Sequence, residues 1–144
     1  MAHVLLEKML ADRGVDGRVR VASAGVAHFA RDGMIPSLDA RIVLREDGIH
    51  LPESALTSTA LARHPELLLE ADLVIAMTAE QKAIVQAYPE AEGRRVVTLR
   101  ELAGAGGDIG DPSSYGEEGF RACRDDIKRC LETALDRLLA DLPG

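Results

Sequence analysis

The segment Ala71-Asp72-Leu73-Val74-Ile75-Ala76-Met77-Thr78 constrains this chain more than any other. A short, nearly unbroken apolar run of this kind is the signature of a strand covered on both faces, which occurs in parallel sheets. Parallel neighbours cannot be joined by a tight hairpin, so helical crossovers must separate the strands. The pattern on either side agrees. Val19-Arg20-Val21-Ala22 reads as a short strand closed by Ser23-Ala24-Gly25, and Arg95-Val96-Val97-Thr98-Leu99 reads as another.

Helical periodicity fills the intervals. Ala2 to Arg13 places Val4, Leu5, Met9 and Leu10 against polar Glu7, Lys8 and Asp12, with Gly14 as a stop. A second helix spans about Leu38 to Glu46 and ends at Gly48. Leu56-Thr57-Ser58-Thr59 opens a further turn or helix, continuing through Leu61 to Leu69 despite Pro65. Thr78 with Gln81 predicts a capping box for a helix reaching about Tyr88, where Pro89 ends it. The last helix, about Glu117 to Asp141, aligns Phe120, Cys123, Ile127, Cys130, Leu131, Ala134 and Leu138 on one stripe.

Strands alternating with helices predict an α/β fold, a three-layer sandwich on a parallel sheet with right-handed crossovers. At 144 residues the chain forms one domain. Ligands in such folds bind beyond the carboxyl ends of the strands. Here those ends are Ser23-Ala24-Gly25, Met77-Thr78 and the glycine-rich loop leading to Asp111-Pro112. Three distant segments should therefore meet on one rim.

Composition excludes several functions. Acidic residues outnumber basic ones by 24 to 17 and the basic residues are scattered, which leaves no footprint for nucleic acid. No apolar run approaches the length of a membrane span, and the N-terminus has no signal-peptide pattern, so no membrane association and a cytoplasmic location are expected. His3, His28, His50 and His64 show no metal-ligand spacing, and neither a metal nor another cofactor is implied. Cys123 and Cys130 are seven apart in a helical pattern, a Cα separation of roughly 10 Å that exceeds the reach of a disulfide. The glycines at 104, 106, 107 and 110 lack the Gly-Lys-Ser/Thr ending of a nucleotide loop.

The ordered set Val21-Ala22-Ser23-Ala24-Gly25-Val26, Ala71 to Thr78, and Asp111-Pro112 followed by Tyr115 and a terminal helix resembles the low-molecular-weight protein tyrosine phosphatase family over essentially the whole chain. The resemblance implies a four-stranded sheet of order 2-1-3-4 and phosphomonoester hydrolysis through a cysteinyl-phosphate intermediate. It implies that Asp111 is the general acid and base, with Ser23 supporting the phosphate loop. Pro112, Tyr115 and Phe29 would line the substrate mouth, together with His28; Ser113-Ser114 stand directly after the proline, where some tyrosine-specific members carry an aromatic wall. Asp-Pro is also a common loop pairing, and a strand-end serine commonly bonds local backbone.

Members of the family open with a strand running into a Cys-x5-Arg-Ser-Pro loop, usually followed by Met-Ala and a helix. This chain reads Met1-Ala2-His3-Val4, similar to the segment after that loop. The expectation is an N-terminally truncated domain that lacks its first, central strand, its nucleophile and its phosphate-binding arginine. Cys123 and Arg129 match Cys-x5-Arg formally, but the segment carries helical periodicity, two acidic residues and no glycine, so it cannot form a cradle. The missing strand would leave a slot nearly 10 Å wide, since strands lie about 4.8 Å apart. The chain alone is therefore expected to be inactive, and poorly folded, aggregated or homo-oligomeric through exposed sheet edges. The partner class is a phosphorylated protein or small phosphomonoester; alternatives are a pseudo-phosphatase acting by binding, a protein arginine phosphatase, or an arsenate reductase.

Overall fold

The computed structural model describes residues 1–27, 30–52, 56–112 and 115–142. Helix α1 is Ala2–Asp12, and Gly14 beyond it adopts a positive φ of 73°, as expected for a glycine stop. Helix α2 is Leu38–Glu46, capped by Ser37 Oγ, which accepts from the Ala40 amide at 3.2 Å. A 3₁₀ turn at Leu61–Arg63 and the short helix α3, Glu66–Glu70, lead to strand β1, Val74–Ala76. Helix α4, Ala79–Gln86, strand β2, Val96–Thr98, and helix α5, Leu99–Leu102, follow. Helix α6, Gly116–Asp141, closes the described chain.

Strands β1 and β2 are parallel and in register, Val74 opposite Val96 and Ala76 opposite Thr98. Alternation along them divides the core in two. Ile75 and Val97 pack with α1, α5 and α6 around Leu5, Leu10, Leu99, Leu102, Ile127 and Leu131. Val74 and Val96 pack on the other face with Leu61, Leu68, Val85 and Ala91. Helices therefore cover both faces of a parallel sheet, the α/β architecture expected from the apolar run. No helix among the described residues is long and apolar enough to cross a membrane.

Three expectations need correction. Val19 to Ala22 is not a strand: Val19 has extended backbone angles, but the segment joins no ladder among the described residues. Extended backbone becomes a strand only when a neighbour accepts and donates its hydrogen bonds. The sheet among the described residues accordingly has two strands, rather than the three expected of a four-stranded family sheet lacking its first strand. Leu56 to Thr59 opens no helix. Instead Thr59 O accepts from Gly25 N at 2.7 Å, Gly25 O accepts from Leu61 N at 2.9 Å, and Gly25 and Ala60 form an isolated parallel bridge. Finally, Thr98-Leu99-Arg100-Glu101 is not simply the end of a strand. Thr98 Oγ1 accepts from Glu101 N at 3.1 Å and Glu101 Oε1 accepts from Thr98 N at 2.8 Å, a complete capping box that starts α5.

The long helix α6 carries an unexpected buried cation. Arg124 is 8% exposed; its Nη1 donates to Val43 O at 2.8 Å and to Glu46 Oε1 at 2.6 Å, and Nε lies 3.3 Å from Asp47 Oδ2. Lys128 Nζ reaches Asp47 Oδ1 at 2.6 Å, and Arg121 Nη2 reaches Glu46 Oε2 at 2.7 Å. The C-terminal end of α2 is thereby clamped to α6 by three cations. Hydrogen bonds from Arg121 first and Arg124 second pull the Glu46 carboxyl down to about 2.

Candidate active site

The loop after α5 is pinned at three successive residues before it reaches Asp111. Asp108 Oδ1 accepts from Ala79 N at 2.9 Å, at the start of α4. Ile109 is 2% exposed, an apolar plug whose amide donates to Met77 O at 2.9 Å at the carboxyl end of β1. Gly110 O accepts from Cys123 Sγ at 3.5 Å on α6. Asp111 follows, exposed to solvent, and Pro112 is half-buried. The carboxyl end of β1 is thus tied to the loop residues immediately ahead of Asp111-Pro112, in keeping with the strand-end rule.

Pro112 O accepts from Tyr115 N at 3.0 Å, and Tyr115, 73% exposed, stands at the start of α6. Gly119 permits this arrangement: a Cβ there would lie 2.3 Å from Tyr115 Cβ and 3.3 Å from Pro112 O. The glycine leaves room for Pro112 and Tyr115 to lie against the first turn of the helix.

The first turn of α1 lies between this loop and Ser23. His3 Nδ1 and Ser23 Oγ are 2.7 Å apart, and His3 Nε2 lies 3.1 Å from Glu7 Oε1. Burial pushes the His3 imidazole down, partly offset by the Glu7 charge. On the other side the Met1 amine faces Cys123, with burial lowering its affinity for a proton. Cys123 in turn feels the negative charge of Asp111. Helix N-termini present amides without intrahelical partners and a positive dipole end. That end of α1, flanked by Ser23 and the Asp111 loop, is where an anion would be stabilised.

The cysteines are not poised as nucleophiles. Cys123 to Arg129 lies wholly within α6, so their backbone amides are committed to the helix rather than turned toward a ligand. Burial chiefly raises the pKa of both Cys123 and Cys130, the opposite of the depression that activates a thiol. Cys130 is buried as expected; Cys123 is half-buried, packs against the core and also donates to Gly110 O. Phe29 and His28 lie outside the described residues. Sequence reasoning missed His3, considered only as a metal ligand, and Asp108. An aspartate shortly before Asp111 in a glycine-rich loop carries a capping signal, since Asx side chains commonly accept from helix N-termini.

A model of the low molecular weight phosphotyrosine protein phosphatase family matches residues 1–143. A protein-arginine-phosphatase of Geobacillus stearothermophilus is 40% identical over 143 residues, which cover 99% of this chain and 86% of that protein. A protein-arginine-phosphatase of Bacillus subtilis strain 168 is 28% identical over 142 residues, covering 98% and 89%. Among solved structures, the YwlE arginine phosphatase from Geobacillus stearothermophilus superposes with a TM-score of 0.78 at 33% identity, over 97% of this chain and 86% of that one. The low molecular weight protein tyrosine phosphatase from T. tengcongensis superposes at 0.80 with 28% identity, over 94% and 88%. With matched layers on both faces of the sheet and Asp111-Pro112 leading into the terminal helix, this chain belongs to the low molecular weight phosphotyrosine protein phosphatase family.

Proposed function

We propose that this chain carries the general-acid half of a protein phosphatase site and that its substrate class is phosphoarginine in proteins rather than phosphotyrosine. The 40% identity to a protein-arginine-phosphatase over nearly the whole chain carries the substrate reading. In this scheme a thiolate attacks phosphorus in line and the bond to the leaving nitrogen breaks as the Asp111 carboxyl hands that nitrogen its proton. The resulting carboxylate then takes a proton from water as its oxygen attacks the cysteinyl phosphate, releasing inorganic phosphate and restoring the thiolate.

Neither Cys123 nor Cys130 can supply that thiolate, so the nucleophile is assigned to a strand and Cys-x5-Arg loop joined ahead of Met1. The placement of the α1 N-terminus between Ser23 and the Asp111 loop supports this, because a residue preceding Met1 enters at the anion-binding end of the helix. Asp111 then acts as proton donor and acceptor, and Ser23 supports the phosphate loop. Pro112 and Tyr115 border the mouth with Phe29. Self-association of the 144-residue chain through the open edge of β1 follows from the same gap, and a monomeric cooperative melt of that chain would argue against it.

The deciding experiment compares the 144-residue chain with the protein encoded by the upstream-extended reading frame on phosphoarginine, phosphotyrosine and p-nitrophenyl phosphate. The extended protein should hydrolyse phosphoarginine with the highest kcat/KM, and Asp111→Asn should lower kcat by roughly 10²- to 10⁴-fold. Turnover by the 144-residue chain itself, abolished by Asp111→Asn, overturns the proposal. A preference for phosphotyrosine overturns the substrate assignment alone.

A further inference from the structure

We propose that the cleft between α5 and the middle of α6 binds a phosphate-type oxyanion, a site independent of Asp111 and of the reading above. The cleft has a volume of about 380 Å³ and is lined by Arg100, Ala103, Ala105, Ala122, Arg129 and Thr133, with Asp126 at its side. Three alanines keep the floor low, so the space is left by small side chains on two helices. Its walls are cationic in a chain of net charge −7.

The argument rests on Arg100. Its Nη2 donates to Asp126 Oδ2 at 2.6 Å. Its Nε is buried and has no hydrogen-bond acceptor among the described residues. Nε and Nη2 form one edge of the guanidinium, the fork that grips two oxygens together. Asp126 occupies only one prong: its other oxygen accepts from Cys130 Sγ at 3.9 Å and lies 3.9 Å from Arg129 Nη2. A buried donor without an acceptor is costly, and a small turn of the Arg100 side chain toward the cleft would let a ligand oxygen satisfy it.

Charge and geometry set the ligand class. Two guanidiniums face one carboxylate, leaving a net charge of about +1 at the site. Arg129 is 72% exposed and its one ion pair among the described residues, with Asp126 at 3.9 Å, is long, so it can swing onto a ligand at little cost. Arg100 from α5, with Arg129 and Thr133 one turn apart on α6, would approach from different directions. Such a set suits the oxygens of a tetrahedral anion better than the two coplanar oxygens of a carboxylate, for which Asp126 already competes. The source is either free inorganic phosphate or a phosphoryl group carried on a peptide.

The test is a titration of the ¹⁵N-labelled protein at constant ionic strength, read by amide shifts and, separately, by Tm. The titration is run on the folded fraction of the 144-residue chain isolated by size exclusion, whatever its oligomeric state, so its outcome does not depend on the reading above. Inorganic phosphate should give saturable shifts at Arg100, Ala105, Arg129 and Thr133, with acetate at least fivefold weaker. Arg129→Gln, an exposed change that spares the core, should raise the Kd at least fivefold. Tighter binding of a phosphoserine peptide than of inorganic phosphate assigns the carried group; the reverse assigns the free ion. Shifts that do not saturate, that persist unchanged in Arg129→Gln, or that acetate reproduces equally overturn the proposal.

Discussion

Arg124→Met tests whether the clamp between α2 and α6 holds the fold. The substitution keeps a long apolar stem of similar length but removes the guanidinium. Val43 O then loses a charge-assisted hydrogen bond, worth about 1.5–3 kcal/mol. Asp47, whose side chain is 19% exposed, keeps Lys128 at 2.6 Å but loses the cation facing Oδ2, which is itself buried. Glu46 keeps Arg121 and, at 40% side-chain exposure, is largely repaid by water. Removing one partner from a buried ion pair typically costs about 3–5 kcal/mol; of the four acceptors, Glu46 and Asp47 retain a cation and Asp125, with its side chain 47% exposed, returns to water, so the lower figure of about 3 kcal/mol applies.

For a domain of this length, about 3 kcal/mol corresponds to a fall in Tm of roughly 10 °C, readable by circular dichroism or calorimetry at pH 7. The pH dependence supplies a second, independent check. The Glu46 carboxyl is held at about 2 in the folded protein against an ordinary 4.5, so its contribution is present in full above 4.5 and disappears as pH falls through 2. The gap in Tm between the native protein and Arg124→Met should therefore narrow over that window. An Arg124→Met protein melting within about 2 °C of the native one at pH 7, with the clamp otherwise intact, refutes the reasoning.

Two further outcomes follow from local geometry. Gly119→Ala gains about 1 kcal/mol of helix propensity, yet its Cβ meets Tyr115 Cβ at 2.3 Å, an atom fixed by the main chain; overpacking of about 1–3 kcal/mol should prevail, and a raised Tm would show that the Asp111 loop relaxes freely. His64 Nε2 lies 2.7 Å from Asp32 Oδ2, and that hydrogen bond chiefly raises the imidazole pKa. Its stabilising effect is complete below the ordinary value of about 6.5 and is lost as pH rises through the raised one; an NMR titration should show the elevation, and Asp32→Asn should reduce it, with Glu66 at 3.5 Å still favouring the charged form.

Legibility from sequence varied with the physics involved. The α1, α2, α4 and α6 spans and both described strands were readable because their signals are local: a period of residues, a glycine stop, a threonine cap. The α5 capping box was also local, as Thr98-Leu99-Arg100-Glu101 carries the S/T-x-x-E pattern, but it was absorbed into the preceding strand. Thr78 caps α4 as the pattern predicts, accepting from Gln81 N at 3.1 Å, yet Gln81 Oε1 accepts from Met77 N rather than closing the box on Thr78. Val19 to Ala22 failed for a different reason. Its residues favour an extended backbone, but a ladder is a property of two segments, and one segment cannot announce whether its neighbour is there.

Arg124 was unreadable in principle from its own helix. In sequence it stands between a cysteine and two aspartates and looks solvated, whereas its burial depends on Val43, Glu46 and Asp47 arriving from α2. For Asp111 the sequence carries an expectation only: its Asp-Pro pair, its position before the terminal helix and the family resemblance point to the proton-transfer role proposed above. The Ile109 plug and the Asp108 cap that hold the loop ahead of it emerge only when the loop meets β1 and α4.

The buried start of α1 has a practical consequence for anyone handling the protein. Met1 is wedged against Cys123 near the Asp111 loop, with His3 tied to Ser23 one turn on. An affinity tag or reporter fused ahead of Met1 would have to thread out through that crowded cleft and would sit on the very surface being assayed. The far end of α6 is the safer handle, since Asp141 stands about 27 Å along the helix from Cys123.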